Sequence, residues 1–414
     1  MDRRSFFSSL AAAGAGAAGL GVVGAGARAQ AQAKASAALS SMKVTRVRFY
    51  RAPSRSMFNQ SSHVCTVETD QGITGYGEGG SPDTVTQCGG LLIGENPTLI
   101  EHLWQLMYRG HFYPPGREKV HALGALDLAL WDIKGKALGL PVYRILGGPV
   151  RNYIECYATG FPGGKTLRDS ARLCMEAGFR AFRISTVGSG NQFNPRQSVR
   201  DTFRNAVEVR KGVGPEGDWC IDYHTRVDMP DAIRLSSLIE DLEPYFVEDL
   251  IRSENPGVYR QLRPQVKVPI AVGEQFGDRW DINELIEERL IDYSRVSLPN
   301  AGGITEFMKI AMSCETHYVG LVPHFTGPIA TAALVHACNA FPGPVLMEVA
   351  GGVKKELAHL PESYELRDGK LWPNERPGLG VTVDLSQLEL VAEVTQNVPG
   401  APLNRRPDGS ITNW

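Results

Sequence analysis

The sequence predicts an α/β protein: a closed parallel barrel carried behind a smaller α+β domain. Three observations lead there. Asp222, Glu248 and Glu274 each follow a short apolar run, and 26 residues separate each from the next. Stretches with helical spacing lie between those runs, such as Ala232, Leu235, Leu238 and Ile239, and a strand, a loop, a helix and the next strand take up that kind of interval. Before about residue 150 the order changes to alternating segments followed by helical ones, which reads as a sheet-and-helix unit of its own.

A chain of 414 residues exceeds one ordinary domain, and a barrel with a smaller partner would use it up. The hydrophobic fraction of 43% and charged fraction of 21% suit a protein that buries a sizeable core. A formal net charge of −2 carries no footprint of a nucleic-acid or anionic-membrane partner. Seven cysteines without a Cys-x-x-Cys pair indicate neither a zinc site nor a redox motif, and apolar surroundings such as Val64-Cys65-Thr66-Val67 read as buried thiols.

In chain order, residues 1–41 read as a targeting segment. Arg3-Arg4 precedes a weakly apolar Ala/Gly run from Leu10 to Ala25, and Ala27-Arg28-Ala29 offers a small-x-small cleavage site. The expectation is twin-arginine export to the periplasm, with no membrane span once the segment is removed. Residues 42–150 make the α+β domain. Val44, Val47 and Phe49, then Val64, Thr66, Val67 and Thr69, alternate, with the turn Asp70-Gln71-Gly72 between strands. Helical spacing follows over Leu91–Tyr108 and His121–Ala137. Residues 151–350 hold the barrel, with further strands at Tyr153–Tyr157, Ala181–Ser185, Tyr293–Ser297, Gly320–His324 and Pro344–Glu348. Residues 351–414, rich in proline and charge, return to the first domain.

All strands of a closed parallel barrel point one way, so Asp222, Glu248 and Glu274 converge on one mouth, where barrel enzymes keep their chemistry. Three oxygen ligands suit a hard divalent cation, and carboxylates completed by water and substrate suit Mg²⁺. The plain alternative makes Glu248 and Asp249 exposed loop acids and Gly273-Glu274 a turn. His224 lies two residues beyond Asp222 and leaves the strand on the same side, where an imidazole can protonate a departing hydroxyl at neutral pH. His324 ends a later strand and is the natural second acid/base.

At these residues the chain resembles the enolase superfamily, of the mandelate racemase/muconate lactonizing enzyme type, and within it the galactonate and mannonate dehydratases. Asp222-Tyr223-His224, Leu242-Glu243-Pro244 leading to Glu248-Asp249, Ile270–Glu274, Asn300–Thr305, Val322-Pro323-His324, Glu348, Pro377–Gly380 and Ala129–Lys136 carry the resemblance, which covers nearly everything after about residue 43. It implies a modified TIM barrel of the (β/α)7β type with an α+β cap, Mg²⁺ as cofactor, and a symmetric homo-oligomer. The implied reaction is dehydration of a sugar acid to a 2-keto-3-deoxy acid through a metal-stabilised enediolate. In this reading His224 is the general acid. Arg183 clamps the substrate carboxylate or tunes a neighbour, while Arg295, Glu348, Glu274 and Ser81 of the Glu78–Ser81 turn contact substrate.

Two departures leave the proton-abstracting base open. Galactonate dehydratases pair the histidine matching His324 with an aspartate, and Ser297 stands there. Mannonate dehydratases share the two arginines but add a tyrosine after the first, and this chain has Phe193 and Pro195 in that neighbourhood. Arg183-Ile184-Ser185 is not the Lys-x-Lys of the racemases. A racemase or epimerase on the same scaffold, and a divergent member without turnover, stand as the rival readings.

Overall fold

Strands β1 (Val44–Arg51), β2 (Val64–Thr69) and β3 (Thr74–Glu78) pair antiparallel in order. They open a computed structural model that describes residues 39–53, 63–160, 163–188, 192, 194–325, 327–352 and 354–412. Residues 1–38 of the twin-arginine segment and Phe193 lie outside the described residues.

Of the stretch Leu91–Tyr108 expected to be helical, residues 91–99 are turns and the helix is Ile100–Arg109, while a separate helix, Pro82–Gly90, precedes it. Gly94 takes a left-handed φ of +86° between them, and Asn96 closes a local turn by accepting the Thr98 N–H at 2.9 Å. Backbone and side chain together end one helix before the next begins. The helix expected over His121–Ala137 runs from Arg117 to Leu138. It is buried almost all round because it lies between the cap sheet and the barrel.

That helix is tied on both sides. Asp127 accepts the Thr305 N–H at 3.0 Å and its hydroxyl at 2.6 Å, Trp131 Nε1 donates to Thr305, and Trp104 Nε1 donates to the Gly302 carbonyl. Gly303, at φ +87°, must be glycine, since a Cβ there would sit 2.4 Å from the Asp127 carboxylate. The Asn300–Thr305 stretch is thus where the barrel receives the cap. Asp132 accepts the backbone N–H of Tyr76 at 3.0 Å and of Leu379 at 2.8 Å, and pairs with Lys136. It joins the first sheet to the Pro377–Gly380 turn near the chain's other end.

The barrel comprises β4 (Ile154–Thr159), β5 (Ala181–Ser185), β6 (Asp218–Asp222), β7 (Val247–Glu248), β8 (Ile270–Val272), β9 (Tyr293–Ser294), β10 (Gly320–Leu321) and β11 (Met347–Ala350), each parallel to the next through β10. A parallel bridge between Leu321 and Val345 and the β11–β4 ladder close the ring. Helices at Leu167–Glu176, Pro195–Val213, Met229–Ile239, Tyr259–Leu262, Arg279–Glu287, Gly303–Thr316 and Pro328–Ala340 fill the intervals. After β11 comes a hairpin, β12 (Glu365–Arg367) and β13 (Lys370–Trp372), rather than an eighth helix, so this is the (β/α)7β arrangement. Strand β14 (Glu389–Val394) then pairs antiparallel with β1 and completes the four-stranded cap sheet.

Strand periodicity sets what fills the barrel. Tyr157, Ala181, Cys220, Phe246, Ala271, Val322 and Leu346 form one buried apolar layer. Two residues further along each chain segment, on the same inward face, stand Thr159, Arg183, Asp222, Glu248, Gly273, His324 and Glu348. Arg295 bears the same relation to Tyr293. An apolar plug therefore supports a polar layer at the mouth. All seven cysteines are buried and free, as their apolar surroundings suggested. No helix among the described residues is long and apolar enough to cross a membrane.

The end of β3 makes another link between cap and barrel. Glu78, 1% exposed, accepts the Ala330 N–H at 2.8 Å in the first turn of helix Pro328–Ala340, where the helix dipole favours an anion. Burial nevertheless pushes its carboxyl up from 4.5 to about 8, against the opposing pull of the Ala330 and Ile329 N–H groups. An acid raised on folding holds an extra proton in the native state between those two values, so its contribution to stability falls as pH rises through that window. Denaturation midpoints compared at pH 5 and pH 8 should show this decline, and Glu78→Gln should remove a share of it on the order of a few kcal/mol. Equal slopes for the two proteins would contradict the assignment.

Candidate active site

The sequence places acids at three strand ends, and the structure brings them to one mouth. Asp222 and Glu248 close β6 and β7 and lie opposite each other in the ladder, and Glu274 follows β8 across Gly273. Gly273, at φ +150°, leaves room for the next strand, because a Cβ would meet the backbone N of Val296 at 2.7 Å. Asp222, Glu248, Asp249 and Glu274 are all buried, so the alternative of exposed loop acids is set aside.

The oxygens that gather differ from the expected trio in one member. The carboxylates whose oxygens gather within 4.8 Å of one another are Glu248, Asp249 and Glu274. Asp222 is instead paired with Arg183 and accepts the backbone N–H of His224 at 2.5 Å. Strand alternation would send Asp249 away from Glu248. Its left-handed φ of +45° lies outside the β region, so alternation does not carry past Glu248 and both acids face the mouth. Aspartate tolerates that conformation better than most residues, but the tolerance is too weak a signal to turn Asp249 toward the mouth from sequence alone.

Two guanidinium groups are built into the same layer. Arg295, with no exposed side chain, pairs with Glu248, with Glu348 at 2.5 Å and with Glu274 at 3.6 Å, and donates to the Val322 carbonyl at 3.2 Å. Arg183 pairs with Asp222, lies 3.3 Å from Glu348 and 3.5 Å from Glu248, and donates to Thr159. Arg295 was expected to touch substrate. It is walled in beneath the mouth with its donors taken, and serves as the counter-ion of the cluster. Glu348 accepts from Thr159 at 2.6 Å as well as from both arginines. Ser81 has a local partner: its hydroxyl caps helix Pro82–Gly90 in a reciprocal pairing with Thr84.

The charges shift one another. Burial raises Glu248 to about 8, with Asp222 adding to the shift and Arg295 opposing it. Burial, then the neighbouring charge of Glu248, raises Glu274 to about 8, and burial with Glu274 and Asp222 beside it raises Asp249 well above the carboxylate range. Glu348 goes the other way. Its burial is outweighed by Arg295 and Arg183 together, which hold it well below the ordinary value.

The donor set fits a hard cation. Glu248 Oε2 and Asp249 Oδ2 are buried without a hydrogen-bond partner among the described residues. An unsatisfied buried acceptor costs ~1–3 kcal/mol, more when charged. Two such oxygens beside Glu274 are what a divalent ion with oxygen ligands would satisfy.

The two histidines stand on either side of Glu274. His224 Nε2 lies 3.5 Å from Glu274 Oε1, and His324 Nε2 lies 3.6 Å from Oε2. His224 is exposed and adopts φ +51°. His324 is 7% exposed, and Ser297 holds its Nδ1 at 2.7 Å, so the serine does occupy the position facing this imidazole. Burial pushes His324 down to about 3, with Glu348 opposing and Arg295 and Arg183 adding to the shift. Glu348 also lines a small cavity of about 80 Å³ whose other walls come from the loop after β10, the end of β11 and the segment that follows it.

Breaking the buried network from its cationic side tests how much it holds. Arg295→Met removes the closer of the two guanidinium groups that Glu248 and Glu348 share, and should lower unfolding free energy by ~3–5 kcal/mol, the usual cost of breaking a buried pair. Urea denaturation would show it, and a loss below about 1 kcal/mol, the scale of an exposed pair, would mean the ion pairs are solvated.

Residues 166–387 match the family described as enolase C-terminal domain-like, and residues 38–147 match the mandelate racemase/muconate lactonizing enzyme N-terminal domain. The chain is 35% identical over 394 residues to the D-galactonate dehydratase of Pectobacterium atrosepticum, an alignment covering 90% of this chain and all of that one. A solved member of the enolase superfamily from Salmonella Typhimurium matches with a TM-score of 0.78 at 25% identity, over 85% of this chain and 100% of the other. An enolase from Pantoea ananatis with bound D-gluconate and Mg matches with a TM-score of 0.74 at 26% identity, over 89% and 99%. The closed (β/α)7β ring, its cap and the buried acids at the strand ends agree with these matches: the chain belongs to the enolase superfamily, among its acid-sugar dehydratases.

Proposed function

We propose that the protein removes water from a sugar acid, taking the proton from the carbon next to the carboxylate and releasing the hydroxyl of the following carbon, to give a 2-keto-3-deoxy acid. The observation that carries this reading is the pair of imidazoles flanking Glu274, one exposed and one buried. Elimination needs one group that accepts a proton and another that gives one.

His324 is the acceptor in this reading. Burial favours its neutral form, and Ser297 fixes the ring without adding charge. His224, at the open side, gives its proton to the departing hydroxyl. Glu248, Asp249 and Glu274 would hold a divalent cation such as Mg²⁺, which when bound supplies fixed positive charge beside the substrate carboxylate. Arg183 and Arg295 hold Asp222, Glu248 and Glu348 in place around it.

Isotope exchange separates the two roles. With Mg²⁺ and a reactive aldonate or aldarate in D₂O, His224→Asn should still exchange deuterium into C2 while 2-keto acid formation falls at least 100-fold, the usual scale of lost general-acid catalysis. His324→Asn should lose both. Exchange with inversion and no 2-keto acid in the wild type would favour the racemase reading, and silence toward all sugar acids would favour a member without turnover. Glu248→Gln and Asp249→Asn should each abolish the thermal stabilisation that Mg²⁺ gives the wild type. Retention of that stabilisation in Asp249→Asn would return Asp222 to the ligand set.

A further inference from the structure

One polar side chain of the cap is buried at its seam with the barrel and left without a partner among the described residues. His121, on helix Arg117–Leu138, is 9% exposed, its Nδ1 is fully enclosed, and it makes no hydrogen bond or ion pair there. Its neighbours on the helix place it above the mouth. One turn earlier, Arg117 lies over the Phe276 ring at 5.9 Å, donates to Ser253 at 3.3 Å and pairs with Asp281 at 3.4 Å, all on the segments that follow β7 and β8. One turn later, the helix rests at Gly124 on the Pro299 carbonyl, with no room for a Cβ between them. On its cap side, a Cβ on Gly79, just past β3, would lie 3.8 Å from the His121 carbonyl oxygen and 3.9 Å from Pro299. Phe276 is two residues past Glu274, and Pro299 is two past Ser297, which holds His324. Side chains on a helix lean toward its N-terminal turn, so the imidazole occupies the corner between the turn after β3 and the strand ends that carry Glu274 and Ser297.

We infer that His121 is a specificity-determining contact from the cap, and that it reads one substrate hydroxyl beyond the two reacting carbons. The inference rests on the dehydratase reading above and deepens it. Buried polar groups are nearly always partnered, and leaving one empty is costly; a ligand group supplies what the described residues do not. Burial pushes His121 down to about 4, with Arg117 adding to the shift, which favours a neutral ring with one N–H and one lone pair. A hydroxyl both donates and accepts, so it suits such a ring in either tautomer. A carboxylate could take only the N–H and would leave the other nitrogen empty. In the dehydratase reading the substrate carboxylate lies with the acidic cluster and the next two carbons lie between His224 and His324, which leaves the remaining hydroxylated carbons to face the cap. His121 thus leaves the chemistry to the barrel and checks the configuration of the tail.

The test uses the Mg²⁺-loaded full chain, a six-carbon sugar acid that it turns over, and that acid's analogues lacking the hydroxyl at C4, C5 or C6. His121→Leu should lower kcat/KM for the parent acid about tenfold, the scale of one neutral hydrogen bond, with the loss in KM more than in kcat. For one of the three analogues the wild type should show a similar loss, and there His121→Leu should cost nothing further. His121→Gln, which keeps a donor and an acceptor, should restore most of the parent's kcat/KM. A His121→Leu variant within about twofold of wild type on the parent, or one that loses equally on all three analogues as a merely structural defect would, overturns the proposal. Calorimetric binding of the same acids separates it from the reading it rests on. Binding that depends on His121 and on one hydroxyl but leads to no 2-keto acid supports the contact and sinks the dehydratase reading. Formation of 2-keto acid indifferent to His121 does the reverse, and binding of no sugar acid overturns both.

Discussion

Five carboxylates and two guanidinium groups are buried together at one end of the barrel, and most of the architecture can be understood as what that concentration of charge requires. Asp222, Glu248, Asp249, Glu274 and Glu348 carry more negative charge than Arg183 and Arg295 can balance. Removing even one ion from water costs several kcal/mol after relaxation. At Glu348 the two arginines outweigh burial and hold the carboxyl low, whereas at Glu248, Asp249 and Glu274 burial and neighbouring carboxylates prevail and push upward. The cluster thus divides into a settled part and an unsettled part, and the orphaned oxygens, on Glu248 and Asp249, belong to the unsettled one.

Holding like charges this close demands a rigid frame. The apolar layer of Tyr157, Phe246, Val322 and their neighbours fills the barrel immediately below the ions and keeps them at the mouth. From outside, the cap is fastened by Asp127 to Thr305, by Asp132 to the Pro377–Gly380 turn and by Glu78 to helix Pro328–Ala340. The last of these bears on the loop that leads from His324 to that helix, so the position of a site residue depends on a domain that contributes no side chain to the acidic cluster itself. Local strain is spent at the mouth too. His224, Thr225 and Asp249 all have positive φ, a conformation that costs such residues on the order of 1 kcal/mol or more. They are kept there by hydrogen bonds between the strand ends, including Thr225 N–H to the Asp249 carbonyl at 2.9 Å.

The histidines show how environment assigns roles to identical groups. One is exposed beside a carboxylate and the other is enclosed, with its far nitrogen on a hydroxyl. An aspartate in place of Ser297 would be one more anion in a layer already overfull of them. The serine orients the imidazole without adding to that burden.

What the amino-acid order determined by itself was whatever repeats along the chain or acts within a few residues. Equal spacing of Asp222, Glu248 and Glu274 disclosed the βα units, alternation disclosed the cap strands, and the position of His224 two residues past Asp222 put it at the mouth. All of these follow from strand and helix geometry, which any local window of sequence carries. The tertiary structure decided which groups meet once the ring closes. It turned Asp249 inward through a left-handed backbone that no residue type there announces, set Asp222 against Arg183, and sealed Arg295 under Glu248 and Glu348. It also set Ser81 at a helix end and left residues 91–99 as turns ahead of helix Ile100–Arg109. Partners across a barrel are far apart in the chain and are chosen by direction, burial and charge balance. None of those quantities exists until the strands have paired.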